Sequence, residues 1–162
     1  MDIIVRQIQS LMKITNSVIK LKTKAFCQFV DLTEQVQKFV NRSKIKNGFI
    51  TVHSKHTTLA IRINEKEKGI VKDFTRLMQK IIPRDDYYHH NDLNIRTENV
   101  VCEPGASDCF NGHSHCAHLL MATSESLPII DGKPLLGQWQ RIFAIELDVP
   151  RKREVFLQAI GE

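Results

Sequence analysis

Apolar residues recur along this chain at two spacings, and the spacing marks out the elements. From Ile14 to Lys24 they alternate with lysines at 20, 22 and 24, which predicts a strand with one charged face. AFCQFV at 25–30 predicts a second short strand. The period then changes: Val36, Phe39 and Val40 form a helical stripe behind Asp31-Leu32-Thr33-Glu34, which has the form of a capping box, and the helix should stop near Asn41–Ser43. Lys46-Asn47-Gly48 reads as a turn, and FITVH at 49–53 and TTLAIRI at 57–63 as strands. Ile70, Val71, Phe74, Leu77, Met78 and Ile81 predict a helix over 68–82 with that face buried, and Pro83 ends it. Residues 83–111 show no period, and such a segment in a compact domain is usually functional.

Beyond it, 112–122 reads as a helix and 127–130 as a strand, turned by Asp131-Gly132 into 133–136. GQWQRIFAIELD at 137–148 is apolar enough for a central strand, and REVFLQAI at 153–160 is the last. Seven or eight strands, three helices and both hairpins and crossovers predict an α+β fold: a mixed, largely antiparallel β-sheet sandwich with about three helices packed on one face. The 162 residues suit a single domain, with no internal repeat and no linker. Residues 1–12 carry Ile4, Ile8, Leu11 and Met12 on one helical face, consistent with a short helix.

Composition narrows the class. At 42% hydrophobic and 25% charged residues, the chain is of ordinary soluble globular type. A net charge of +5 is moderately basic, yet the lysines and arginines are scattered, with Arg151-Lys152-Arg153 the only tight cluster. Nucleic acid is therefore disfavoured as a partner, and a phosphorylated small molecule would be served equally well by a basic surface. No apolar run approaches the ~18 residues that span a bilayer, so a membrane is not expected. The amino terminus has an acidic residue at position 2 and no signal-peptide pattern, which makes the cytoplasm the expected location. Cys27, Cys102, Cys109 and Cys116 show no CxxC spacing and read as reduced thiols.

The chemistry gathers between Tyr88 and His118, which hold five of the seven histidines and three of the four cysteines. Imidazoles and carboxylates ligate borderline metals and are also the acid–base groups that work near neutral pH. His56 and the clusters at 88–92 and 111–118 are expected to converge on one polar site. Of His89 and His90, which point to opposite sides in an extended segment, only one should enter it. In HSHCAH, His115 and His118 share a face on a helix, whereas His113 and His115 share one in an extended turn. Glu65 and Glu98 lie near element ends. Glu146 sits in an apolar strand, where it needs a partner such as Arg141 or Arg96, or else a solvent face on an edge strand. Trp139 reads as core filling, with a stacking platform as the other option.

These runs, HTT at 56–58, NE at 64–65, YHHNDL at 88–93, TEN at 97–99, NGHSH at 111–115, LPIIDGKPLLGQWQRI at 127–142 and ELDVPRKR at 146–153, together resemble the YjbQ-like family, often described as secondary thiamine-phosphate synthases. The resemblance covers 14–162, leaving 1–13 as an extension, and CEPGASDCF departs from the family's more usual proline-rich linker. It implies a small α+β sandwich, a homotrimer with the site near a subunit boundary, and condensation of hydroxymethylpyrimidine diphosphate with thiazole phosphate, releasing pyrophosphate. It implies a divalent metal, zinc by ligand type, on His56, His90 and His115, with His113 outside the set and magnesium serving the diphosphate. Glu65, Asp92 and Arg141 become the catalytic candidates. Thr57, Thr58 and Arg96 would bind phosphate, with Arg151 a further cation, and Trp139 would carry the pyrimidine. A metal-dependent hydrolase with Glu65 as base, and a non-catalytic trimeric metal- or ligand-binding protein, are the alternatives.

Overall fold

The computed structural model describes residues 12–100 and 110–162. Its strands are β1 (Lys13–Lys22), β2 (Phe29–Asp31), β3 (Gly48–Ser54), β4 (Leu59–Glu65), β5 (Ser124–Ile130), β6 (Lys133–Pro134), β7 (Gln140–Glu146) and β8 (Lys152–Gly161), and its helices are α1 (Thr33–Ser43), α2 (Lys68–Ile81) and α3 (Gly112–Leu119). This is the expected α+β fold. One sheet has the order β1-β8-β3-β5-β6 and the other β2-β7-β4, and the strand pairings are antiparallel. All of the proposed helix over 1–12 except Met12, and the Cys102 and Cys109 thiols, lie outside the described residues.

Alternation along the strands builds two cores. Ile142 and Ala144 of β7 face Ile50 and Val52 of β3 and Val155, Leu157 and Ala159 of β8, and α1 adds Val36, Phe39 and Val40. The opposite parity of β7, Phe143 and Ile145, joins Ala60, Met78 of α2 and Ala117 of α3 in a second cluster. The last strand is long because it runs antiparallel to all of β1, from Lys13 opposite Gly161 to Lys22 opposite Lys152. Asp131 (φ 50°) and Gly132 (φ 75°) both take left-handed backbone, the two-residue hairpin their sequence predicts.

Four local expectations are corrected. The strand at 25–30 is only β2, because Cys27 turns left-handed at φ 53° and breaks it. Asp31 does not cap α1. The cap position is Leu32, and Asp31 instead accepts the Thr33 N–H through Oδ1 at 3.0 Å. On α2 only Met78 is fully buried, and Leu77 and Ile81 are half exposed at 51% and 50%. An apolar stripe states that a helix face seeks cover, and the narrow three-stranded sheet beneath α2 covers only its central line. Trp139 is no core residue, being 66% exposed. Among the described residues no helix is long and apolar enough to cross a membrane.

Candidate functional site

The alternation that fills the inter-sheet core also carries charge into one end of it. Glu146 shares its face of β7 with Ile142 and Ala144, and Arg153 shares its face of β8 with Val155. Both are sealed, at 0% and 5% exposure. Arg153 Nε donates to Glu146 Oε2 at 2.7 Å and Nη2 to Oε1, a bidentate pair. The remaining valences are used locally. Thr23 Oγ1 donates to Oε2, the Asp148 N–H donates to Oε1, and Arg153 Nη2 reaches Thr58 Oγ1. Glu146 is thus paired by Arg153, and neither Arg141 nor Arg96 fills that role. β7 is the middle strand of its sheet, which rules out a solvent-facing edge position.

This buried plug anchors the loops around the histidines. The connection from β3 to β4 sends three consecutive side chains three ways. His56 turns to β8, where Nε2 accepts the Glu154 N–H at 3.0 Å. Thr57 lines an open cavity. Thr58 enters the buried network. Burial lowers the His56 pKa, and the nearby Arg153 guanidinium lowers it further.

Across the cavity, the loop before α3 folds onto the helix start. The Gly112 N–H donates to Asn91 Oδ1 at 2.8 Å, and a short 3-10 turn at His89–Asn91 presents His90. His90 and His115 face each other with ring centroids 4.6 Å apart. His89 packs edge-on against Tyr87 and also lines the cavity, so both members of the pair reach it, where only one was expected, because they sit on a short 3-10 turn and not on an extended segment. Burial lowers the pKa of both His90 and His115, aided at His90 by Arg96 and at His115 by His90 itself, so both imidazoles are neutral near pH 7. His113 and His118 serve the packing. His113 is buried beside Phe26 and Tyr88, and among the described residues its Nδ1 and the buried Nε2 of His118 meet no hydrogen-bond partner.

Arg96 supplies the cavity's cation. Its Nε, Nη1 and Nη2 donate to the backbone carbonyls of Glu98, His90 and Asn99 at 3.0–3.1 Å. Among the described residues no carboxylate pairs with it. The cavity measures about 780 Å³ and is lined by Thr57, His90, Arg96, Glu98 and His115 among others. That is room for a small phosphorylated molecule.

Zinc on three imidazoles needs three donor nitrogens about 2 Å from one point. His56 Nε2 is already occupied by a backbone N–H. His90 Nε2 lies 3.1 Å from Asn111 Oδ1 and 3.2 Å from the Arg96 guanidinium. Among the described residues no three His, Cys, Asp or Glu side chains stand close enough to hold one ion. The His56–His90–His115 set therefore does not close into a metal cage within one chain.

The remaining candidates lie elsewhere. Glu65, Trp139 and Arg141 border a separate hollow of about 370 Å³ at the far end of β4. Thr58 precedes that strand and Glu65 ends it, so at 3.4 Å per residue the two are about 24 Å apart. Arg141 is held by Asp31, with Nη2 to Oδ2 at 3.0 Å. Asp92 stabilises its own loop, accepting the Asn94 N–H and the Tyr87 hydroxyl, each at 3.0 Å. Sequence reading passed over Asn111 and Asp148. Asn111 Nδ2 donates to Asp148 Oδ2, which Arg151 also grips at 2.7 Å. The sequence signal was their place inside the runs that carry the family resemblance, Asn111 opening NGHSH and Asp148 standing third in ELDVPRKR.

A family model described as UPF0047 protein YjbQ-like matches residues 17–162. The chain is 31% identical over 151 residues to a UPF0047 protein of Methanothermobacter thermautotrophicus, covering 93% of this chain and 95% of the relative. It is 33% identical over 140 residues to one of Archaeoglobus fulgidus, covering 86% and 97%. Among solved structures, a YbjQ-like protein of unknown function from Sulfolobus solfataricus superposes with a TM-score of 0.81 at 30% identity, covering 93% of this chain and 99% of that one. A YjbQ/UPF0047 family protein from Clostridium acetobutylicum gives 0.75 at 32% identity, covering 88% and 98%.

Proposed function

The chain belongs to the YjbQ-like UPF0047 family, and on that premise we propose that it is a cytoplasmic small-molecule enzyme that binds a phosphorylated substrate in the His90–His115–Arg96 cavity. The observation that carries this reading is Arg96. A guanidinium held by three backbone carbonyls and paired to no carboxylate among the described residues keeps its charge for a ligand. Two neutral imidazoles beside it can give or take hydrogen bonds without adding repulsion. A hydroxyl lines the same wall at Thr57. Such a site favours an anion with several oxygens.

The reaction we assign is the one the family resemblance implies: condensation of hydroxymethylpyrimidine diphosphate with thiazole phosphate. The thiazole nitrogen lone pair forms the new C–N bond, the C–O bond to the diphosphate breaks, and pyrophosphate leaves with that electron pair. Charge on the leaving group grows as the bond breaks, so a fixed cation at Arg96 would act where it is most needed. Glu65 at the end of β4, and Trp139 and Arg141 at the paired start of β7, are too far from this cavity to join it within one chain. In the proposed homotrimer they would approach a neighbouring copy. Exposed apolar residues on the outer side of the five-stranded sheet (Ile14, Val18, Phe49) and on α2 support such assembly. A divalent metal, zinc or magnesium, is a separate proposal that elemental analysis of the purified protein tests, and no step here is routed through one.

The test is pyrophosphate release from the two thiamine precursors together. Wild type is expected to turn over, and Arg96→Met to lose at least tenfold, the value of one charge-assisted hydrogen bond. Release from the diphosphate precursor alone would favour a hydrolase. Tight binding without release would favour a binding protein.

A further inference from the structure

Asn111 lies between an acid and a base. Its Nδ2 donates to Asp148 Oδ2 at 3.1 Å, and its Oδ1 lies 3.1 Å from His90 Nε2. Asp148 is buried, and the same Oδ2 takes Arg151 Nε at 2.9 Å and Nη2 at 2.7 Å. Those donors, with Asn111 itself and the Val149 N–H, outweigh burial and keep the carboxyl below its ordinary pKa. An ionised carboxylate only accepts. The amide must therefore turn its NH2 group to Asp148, which leaves its carbonyl oxygen facing His90. That oxygen is itself buried and has no other donor among the described residues, and a carbonyl oxygen also only accepts.

We propose that Asn111 is a positioning residue that fixes His90 in the tautomer carrying its hydrogen on Nε2, leaving the lone pair on Nδ1. Among the described residues no donor meets Nδ1, so the geometry reserves that nitrogen for a substrate hydrogen bond or proton. The rival for Nε2 is Arg96, whose Nη1 lies 3.2 Å away. Were Nε2 to accept from Arg96, its lone pair would face the Asn111 oxygen and leave a buried acceptor unsatisfied, a cost of about 1–3 kcal/mol. Arg96 Nη1 has an acceptor of its own in the His90 carbonyl at 3.0 Å. Asn111 is further held in place as the residue capping α3, where its carbonyl accepts the Ser114 N–H at 2.9 Å.

The inference rests on reading this cavity as the working site, but its test needs no turnover. The full chain is labelled with 15N-histidine and its long-range proton–nitrogen correlations are recorded without ligand at about pH 7.5, where the imidazoles are neutral. His90 is identified by the signals missing from His90→Gln. Wild type is expected to show a single form protonated on Nε2, and Arg96→Met the same form. Asn111→Leu is expected to give a mixture of tautomers. Asp148→Asn, which frees the amide to flip, should give a mixture too and serves if Asn111→Leu does not fold. An Nδ1-protonated His90 or a mixture in wild type overturns the proposal, as does a pure Nε2 form in either of those two variants. A chain with no enzymatic activity would still give the tautomer result, so the two readings fail separately.

Discussion

Arg153 meets Glu146 through two hydrogen bonds inside the apolar end of the β-sandwich, with neither group reaching solvent. Removing one member leaves the other charge buried and unpaired, which costs about 3–5 kcal/mol. Arg153→Met is expected to lower the unfolding free energy by that amount in urea titration at neutral pH. Replacing both residues with apolar ones of similar volume is expected to recover most of the loss. Equal stability of Arg153→Met and wild type would contradict the pairing.

Asp31 ties β2 to β7 and to Lys66. Burial works against its charge, but the Thr33 hydroxyl and N–H, Lys66 and Arg141 outweigh that and hold its pKa at about 2. A carboxyl depressed in the fold stabilises it above the unfolded value near 4, and the contribution fades as pH falls through about 2. Asp31→Asn is expected to cost roughly 2 kcal/mol near pH 7. The gap to wild type should close between about pH 4 and 2. Denaturant midpoints measured across that range check it, and a gap that stays constant would contradict it.

Histidines give the opposite edge of the stability curve. His56, His90, His113, His115 and His118 are all shifted down, with burial the leading cause in each. The unfolded chain therefore takes up protons first as pH falls through about 6.5, and the fold loses stability below that point while keeping it above. The urea midpoint is expected to drop between about pH 7.5 and 5.5, a window in which the carboxylates do not titrate. At His113 burial leads, with Arg84 lowering its pKa further and Asp148 and Asp85 opposing. His113→Leu should flatten part of the slope.

Much of the fold was legible because its signals are local. The 3.6-residue stripes of α1 and α2, the Asp131-Gly132 hairpin and the apolar run of β7 all stand in the positions expected. What failed depended on distant partners. Nothing near Ile70, Leu77 or Ile81 states how wide the sheet beneath α2 will be. Glu146 declared its need for a cation, but the choice of Arg153 over Arg141 depends on how the chain reverses between β7 and β8 and brings their inward faces together. At the site, spacing left open which histidines of each cluster enter, and the resemblance to the family picked out His90 and His115. The departure of His56 to the backbone of Glu154 was not readable, since that contact joins residues 98 apart in sequence. Asn111 gained no role from the sequence, because its role appears only when Asp148 and His90 arrive on either side.

In the proposed anion site Arg96 pairs with no carboxylate among the described residues and stands beside two neutral imidazoles. Calorimetric titration of the full chain with inorganic pyrophosphate tests this site most directly, with wild type beside Arg96→Met and His115→Gln. Saturable binding in wild type, weakened tenfold or more in Arg96→Met and less in His115→Gln, is the expected result. Binding that is absent in wild type, or unchanged by loss of Arg96, would contradict the account.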